Sequence, residues 1–152
     1  MATLYGLYLQ RVHNEKSLKP LGQIDLPDYK NQIAIHIRNN GLGPLIIDRL
    51  TFSKSDNIYS SIEECLDLDP RSYMHIPIYD TVKRIILPNS YLMVFEKNFR
   101  DDADEADRNH IRRKLSTVTL KVDCRDIYDN KFTIERDFNW FTRHLLQSGV
   151  DP

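Results

Sequence analysis

The residue types that most often carry out chemistry are present, but their spacing matches no catalytic or metal-binding motif. The five histidines include no HxH, HxxxH or HExxH arrangement, and no GxSxG motif or paired catalytic carboxylates are found. Cys65 and Cys124 lie far apart, and neither belongs to a CxxC pair. Cys124 is interpreted as a small core residue, and a Cys65–Cys124 disulfide would require an oxidising compartment. We therefore predict a protein that is not an enzyme and that needs no metal or cofactor.

The clearest candidate ligand site is a set of basic side chains that share the outward phase of their predicted strands. These residues are His36, Arg38, Arg49, Lys121 and Arg125. If their strands are neighbours, one sheet face becomes basic and could bind phosphates, a nucleotide or lipid head groups. Within the set, Arg38 suits bidentate phosphate recognition, and His36 adds a donor near neutral pH. The alternative is an ordinary solvated face, on which Asp48, Asp123 and Asp126 balance the charge.

A glycine-rich segment, NNGLGP at residues 39–44, follows the most regular early strand. Its Gly41-x-Gly43 pattern precedes a strand rather than the N-terminus of a helix, so it is not interpreted as a phosphate loop. Glycine permits positive φ, asparagine tolerates it, and proline stops strand pairing. We therefore predict a hairpin turn between strands at residues 32–39 and 45–53.

Alternation of apolar and polar residues predicts the strands that position these groups. Residues 32–39 and 117–125 alternate most regularly, and their inward residues are Ile33, Ile35, Ile37, Val118, Leu120, Val122 and Cys124. Residues 45–53 form another strand, in which the adjacent Ile46 and Ile47 indicate a bulge or a change of buried face.

The remaining strand signals complete the prediction of the fold class. Residues 81–87 and 91–96 predict a second hairpin, residues 132–138 return after a turn at 128–131, and Pro77 restricts any strand at 76–78 to a sheet edge. These patterns predict a mainly β chain that folds as an antiparallel, immunoglobulin-like β-sandwich. One or two short helices are expected in the connections.

Two connecting segments have helical signals. Residues 60–66 resemble a short helical turn with Ser60 as the N-cap and Glu63 as its capping-box partner. Residues 101–115 place acids first and bases last, which complements a helix dipole, and Asp104 and Arg108 are spaced as an i,i+4 pair. Few of these residues are apolar, so a solvated connection is predicted, with a docking helix or lid as the alternative.

Length and charge exclude several classes of protein. The 152 residues fit one domain, and 21 Lys+Arg against 22 Asp+Glu give a net charge of -1, which argues against a duplex nucleic-acid binder. Two cysteines are too few for a disulfide scaffold. We predict a juxtamembrane segment or linker at 1–16, one β-sandwich domain at 17–146 and a flexible tail at 147–152.

The apolar run at residues 4–9 has two interpretations. It could be a first β-strand with Leu7 and Leu9 inward. It could also be the end of a transmembrane helix whose preceding turns lie outside this chain, with Tyr5 and Tyr8 at the membrane interface. Basic residues follow the run, at Arg11, His13, Lys16 and Lys19, with only Glu15 opposing. Under the positive-inside rule, that excess indicates a cytoplasmic flank.

Two segments carry a resemblance to a known group. HNEKSLKP at residues 13–20 and NNGLGP at residues 39–44 resemble segments of small uncharacterised bacterial membrane-anchored proteins. In that group a late strand pair also carries a Y-x-D-like turn, which DIYDNKF at 126–132 resembles, whereas Leu45 departs from the small residue that often follows GP. The resemblance covers about residues 13–140. It implies a transmembrane anchor that this chain lacks, and it implies no catalytic residue.

These observations lead to two main functional hypotheses. The first is a binding or sensing domain of a small membrane-anchored bacterial protein, with the soluble domain in the cytoplasm. One version is an effector that responds to an anionic ligand such as a nucleotide, as in some antiphage defence systems. The alternative is a structural envelope domain that assembles into a homo-oligomer or with a partner and binds no small ligand. For the location of the domain, the periplasm is the alternative to the cytoplasm.

Overall fold

The computed structural model describes residues 3–75, 84–143 and 145 and contains two antiparallel sheets around one apolar core. The strands are β1 (Gly22–Asp25), β2 (Asp28–Tyr29), β3 (Gln32–Asn39), β4 (Leu45–Lys54), β5 (Asn57–Tyr59), β6 (Met74–His75), β7 (Arg84–Ile86), β8 (Tyr91–Asn98), β9 (Thr119–Arg125) and β10 (Lys131–Asp137). The helices are α1 (Thr3–Ser17), α2 (Ile62–Cys65) and α3 (Glu105–Ser116), with 3-10 turns at Pro70–Ser72 and Asn139–Phe141. The predicted antiparallel β-sandwich is confirmed.

The strand order of the two sheets differs from the order that the predicted hairpins require. The first sheet has the order β1-β3-β8-β6, with β2 also paired to β3; the second has the order β10-β9-β4-β5, with β7 also paired to β4. The predicted hairpins β3–β4 and β7–β8 are therefore wrong, because each connection crosses from one sheet to the other. A turn motif specifies a reversal but not the sheet in which the next strand pairs. The β9–β10 hairpin is confirmed.

The predicted core phases of β3 and β9 are confirmed. Their inward residues are each at most 1% exposed: Ile33, Ile35, Ile37, Val118, Leu120, Val122 and Cys124. The bulge in β4 is also confirmed, as a register shift between Ile47 and Arg49. The outward phase of β3 is not fully solvated, because Ala34 and His36 are buried as well. Both faces of the middle of β3 are therefore covered.

The N-terminal segment forms a helix, so its interpretation as a β-strand is wrong. A helix satisfies its own backbone hydrogen bonds, whereas a strand needs a neighbouring strand. The first turns of α1 expose large apolar side chains, which are Leu4, Tyr5, Leu7, Tyr8 and Leu9. Among the described residues, no helix has the length and apolar character needed to cross a bilayer.

Helix α3 is more buried than its composition predicts. Its buried residues are Arg108, Asn109, Ile111, Arg112 and Leu115, so the prediction of a solvated connection is wrong. The Arg112 guanidinium binds the fully buried Asp28 carboxylate at 2.9 Å, and Arg143 reaches the same carboxylate at 3.4 Å. Arg108 pairs with Glu105 rather than with Asp104 as predicted. The charge of Arg112 can be buried here because it is paired with Asp28 across the fold.

Three further points concern the cap of α2, one corner of the sandwich and the predicted segments that lie outside the described residues. The N-cap of α2 is Ser61, not Ser60 as predicted, and its hydroxyl accepts a hydrogen bond from the Glu64 N–H at 3.3 Å. At one corner of the sandwich, Arg136 of β10 donates to the Ile24 carbonyl of β1 at 2.7 Å. The predicted strand at 76–78, residues 81–83 of another strand and the tail at 147–152 lie outside the described residues.

Candidate ligand-binding surfaces

The five predicted site residues do not form one surface, because their strands belong to different sheets. His36 and Arg38 lie on β3 of the first sheet. Arg49 on β4 and Lys121 and Arg125 on β9 lie on neighbouring strands of the second sheet. The structure therefore separates the predicted basic face into two smaller groups.

The first group is arranged around a tyrosine ring. The rings of His36 and Tyr91 stack with centroids 4.3 Å apart, and the Arg38 guanidinium carbon lies 5.3 Å from the centroid of the same tyrosine. Arg38 also forms an ion pair with Asp25 at 3.0 Å. We call these four residues the Tyr91 cluster. It presents a partly exposed cation and an exposed aromatic ring on one sheet face.

His36 has an unusual environment within the Tyr91 cluster. It is 7% exposed, and its Nε2 atom has no hydrogen-bond partner among the described residues. Burial is the main reason that its pKa is lowered, while the negative charge of Glu96 opposes the shift and Arg38 adds to it. A neutral imidazole with an unsatisfied nitrogen is therefore held beneath the Tyr91 ring.

Arg49 and Arg125 of the second group line a groove of about 540 Å³ on the outer face of the second sheet, whereas Lys121 is not among its lining residues. Arg125 forms ion pairs with Asp48 at 3.1 Å and Asp129 at 3.3 Å, and Arg49 stands opposite Asp123 in the strand register. The lining of this groove contains equal numbers of basic and acidic residues, which are Arg49, Arg125, Lys131, Asp48, Asp123 and Asp129. The alternative interpretation of a balanced solvated face therefore describes this surface better than a basic one does.

Asn39 joins several segments at the point where the chain crosses between the sheets. Its Oδ1 accepts hydrogen bonds from the N–H groups of Leu21 and Gly41, and its Nδ2 donates to the carbonyls of Gly43 and Ile86. The distances are 2.8–3.2 Å, and the residue is fully buried. We call this arrangement the Asn39 junction. It links the β3–β4 and β7–β8 crossings between the sheets, because Ile86 belongs to β7 and the glycines follow β3.

The two glycines of the junction are required by close approach and not by positive φ as predicted. No described glycine has a positive φ. A Cβ atom on Gly43 would lie 1.5 Å from the Leu18 carbonyl oxygen, and one on Gly41 would lie 2.4 Å from the Lys19 carbonyl oxygen. Residues 18–21, which we call the strap, therefore lie directly against the loop and connect α1 to β1.

A second groove, of about 440 Å³, lies between the strap and β10, and we call it the strap groove. Its apolar lining comes from Pro20, Leu21, Gly22, Phe132 and Ile134, and its polar lining from Lys19, Asp126, Asn130 and Lys131. The Arg11 guanidinium of α1 lies 5.9 Å from the Tyr128 ring centroid, so α1 passes close to the turn that borders the groove.

The cysteines show no sign of reactivity. Cys65 and Cys124 are both free and buried, and burial, with the charges of Asp123 and Asp48, raises the pKa of Cys124 to about 12. A thiol with such a pKa is almost entirely protonated at neutral pH. Within the described ranges, no group of three or more metal-ligating side chains comes together.

Sequence reasoning found part of these surfaces and missed the rest. Arg38 and His36 were identified by strand phase, but Tyr91 and Asp25 were not, because strand order decides which side chains face them. Lys131 was assigned only to a turn. Comparison with protein-family models and with curated proteins gives no match for this chain.

Proposed function

We propose that this protein is a non-catalytic binding domain that associates with a membrane through the first turns of α1. The observation that carries the proposal is the exposure of five large apolar side chains on those turns. Leu4 is 83% exposed and Tyr5 69% exposed. Contiguous apolar surface of this kind is characteristic of protein or membrane contact sites.

The charges of α1 support a lipid surface as the partner. The apolar turns are followed by Arg11 and His13 on the same helix and by Lys19 on the strap. Basic residues beside an apolar, tyrosine-containing segment favour anionic head groups. At 1.5 Å per residue, the 15 residues of α1 extend for about 22 Å, so the apolar turns can reach beyond the sandwich. On the positive-inside rule, we place the domain on the cytoplasmic side.

Vesicle sedimentation tests this proposal. The chain should sediment with vesicles that contain anionic lipids and less with neutral ones, and the double variant Leu4→Glu, Leu7→Glu should remain in the supernatant. Ile58→Glu is the matched control, because Ile58 is 74% exposed on the short edge strand β5. Equal sedimentation of the double variant and the control would refute membrane contact by α1.

Self-association through the same helix is the competing explanation of its exposed surface. Analytical ultracentrifugation without lipid separates the two. We expect a monomer, whereas a dimer that is lost in the Leu4→Glu, Leu7→Glu variant would favour the structural, self-assembling domain. The side of the membrane is tested separately, since protease added to spheroplasts that express the chain should leave a cytoplasmic domain intact.

The Tyr91 cluster favours an anionic small ligand as a second function of the domain. Arg38 is partly exposed beside the exposed Tyr91 ring, and His36 holds an unpartnered nitrogen beneath that ring. A planar anion such as a nucleotide could stack on the ring and pair with the guanidinium. Such a ligand must compete with Asp25, which already pairs with Arg38.

That competition makes the experiment specific. Titration with cyclic nucleotides and inorganic phosphate should show binding that Arg38→Ala abolishes and that Asp25→Asn strengthens, because the latter frees the guanidinium. Lys121→Ala is the control, since Lys121 lies on the other sheet. If neither cyclic nucleotides nor phosphate bind the wild type or Asp25→Asn, the Tyr91 cluster is not an anion site.

A further inference from the structure

The strap groove combines an apolar floor with cations at its edge. Phe132 and Ile134 of β10 are half-buried and pack against the core, and Leu21 of the strap is 61% exposed. Pro20 and Gly22 complete the apolar lining. Ligand sites in proteins commonly have this volume and this mixture of apolar surface with a few polar groups.

The polar groups of the groove have an excess of positive charge. The Asp126 carboxylate accepts hydrogen bonds from the N–H groups of Tyr128 and Asn130 and from the Asn130 side chain, and its charge also acts on Lys19. Among the described residues, neither the Lys19 nor the Lys131 amine has an ion pair or a hydrogen bond. Two amines against one carboxylate therefore leave a net positive charge in the groove for a ligand acid group.

This arrangement differs from that of the other grooves and clusters. In the groove of the second sheet, Arg125 is already held by Asp48 and Asp129. In the buried cluster of α3, Arg112 is held by Asp28 and Glu105. In the strap groove, by contrast, Lys19 and Lys131 form no ion pair within the described part of the chain and stand beside apolar surface, although the charge of Asp126 acts on Lys19 and Lys131 also lines the second-sheet groove.

We propose that the strap groove binds one single-chain amphiphile with an acidic head group. The acyl chain lies against Phe132, Ile134 and Leu21, and the carboxylate or phosphate lies between Lys19 and Lys131. The apolar lining excludes a purely polar anion as the best ligand, and the two amines exclude a neutral amphiphile. This site is separate from the apolar turns of α1 and does not depend on membrane association.

Calorimetric titration with monomeric amphiphiles tests the proposal. The probes are dodecanoate, dodecyl phosphate, neutral dodecyl maltoside and inorganic phosphate, each below any micelle concentration. We expect binding of one or both acidic amphiphiles and much weaker binding of the maltoside and of phosphate. The two acidic probes distinguish a carboxylate from a phosphate head group. Equal binding of the neutral maltoside, or no binding of either acidic probe, would overturn the proposal.

Charge-reversal variants locate the site. Lys19→Glu with Lys131→Glu should weaken binding by about tenfold or more for each lost amine. Lys121→Glu is the matched control on the outer face of the second sheet and should bind like the wild type. Leu21→Glu places a carboxylate at an exposed groove position without disturbing the core and should also abolish binding. A melting curve for each variant verifies its fold.

The same measurements separate this proposal from that of membrane contact. The Leu4→Glu, Leu7→Glu variant should bind the acidic amphiphile as the wild type does, even if it no longer sediments with vesicles. Equal affinity of the Lys19→Glu, Lys131→Glu variant and the Lys121→Glu control would refute the strap groove as the site, whatever the vesicle result.

Discussion

The loop after β3 and the loop after β9 are each organised by one buried polar side chain, but these side chains reach very different distances along the sequence. Asp126 binds groups only two and four positions ahead. Asn39 also binds groups two and four positions ahead, and in addition the backbone of Leu21 and Ile86, which lie 18 and 47 positions away. The first loop closes a local hairpin, whereas the second joins two sheets and the strap.

This difference shows why similar turn motifs led to one correct and one wrong prediction. A short polar side chain that binds its own following backbone forms a turn wherever it occurs. A side chain with four backbone partners from three segments needs the whole fold to be in place. The Asn39 junction is therefore a tertiary interaction with the sequence pattern of a turn.

Of the changes to these two loops, removal of the Asn39 side chain should lower the free energy of unfolding the most. Asn39→Ala leaves two N–H groups and two carbonyls unpaired in the interior, and each costs about 1–3 kcal/mol. We expect the free energy of unfolding, measured by urea denaturation, to fall by about 4 kcal/mol or more. The neighbouring Asn40→Ala, whose exposed side chain binds only Gln23, should change it by less than about 0.5 kcal/mol. Equal losses in the two variants would show that the junction has no special role.

Displacement of the strap should cause the next largest loss in the free energy of unfolding. In Gly43→Ala the new methyl group overlaps the Leu18 carbonyl, so the strap must move and the free energy of unfolding should fall by about 3 kcal/mol. Gly6→Ala is the control, because nothing lies within 4 Å of its Cβ position, and a helical alanine should stabilise α1 slightly. Unchanged stability in Gly43→Ala would mean that the strap is not held against the loop.

Removing the Asp126 side chain should have a smaller effect. Asp126→Ala leaves the N–H groups of Tyr128 and Asn130 without acceptors, but both residues lie near the surface and water can replace the carboxylate. We expect a loss of about 1–2 kcal/mol in urea denaturation. A loss as large as that of Asn39→Ala would contradict the distinction between a local and a tertiary loop.

Acidification should cause the smallest loss of stability, and it acts through Asp126 in the loop after β9. Burial by itself raises the pKa of Asp126, but hydrogen bonds from Asn130 and Tyr128 and the charge of Lys19 outweigh it, so the pKa is lowered. A lowered pKa in the folded state means that this stabilisation is present above pH of about 4 and is lost as the pH falls through the folded-state pKa.

The matching measurement is urea denaturation near neutral pH and at a pH of about 3. The wild type should lose more stability between the two conditions than Asp126→Asn, which keeps an acceptor but cannot titrate. Identical losses in both proteins would show that Asp126 carries none of the acid sensitivity.

Much of the fold could be predicted from the sequence, because alternation reports directly which residues of a strand face the core. The phases of Ile35 and Leu120 followed from that pattern alone. Strand pairing could not be predicted, since β3 and β4 are adjacent in sequence and pair in different sheets. The burial of Arg112 could not be predicted from the sequence either, because its partner Asp28 lies 84 positions away.

The candidate surfaces were less predictable than the fold for the same reason. Arg38 was identified because one strand determines its direction. The pairing of Arg38 with Asp25 depends on β1 lying beside β3, and the strap groove depends on β10 lying beside the strap. Charge balance on a surface is a property of neighbouring strands, so the sequence of one strand cannot determine it.

The hydrogen bond between Arg136 and the Ile24 carbonyl has a consequence for solubility. β1 and β10 are the outer strands at one corner of the sandwich, and an outer strand with free carbonyls is a template on which another chain can add. The long Arg136 side chain occupies one of these carbonyls and places a charged group across the gap. A foreign strand that approaches this corner must displace the guanidinium before it can pair with the Ile24 carbonyl.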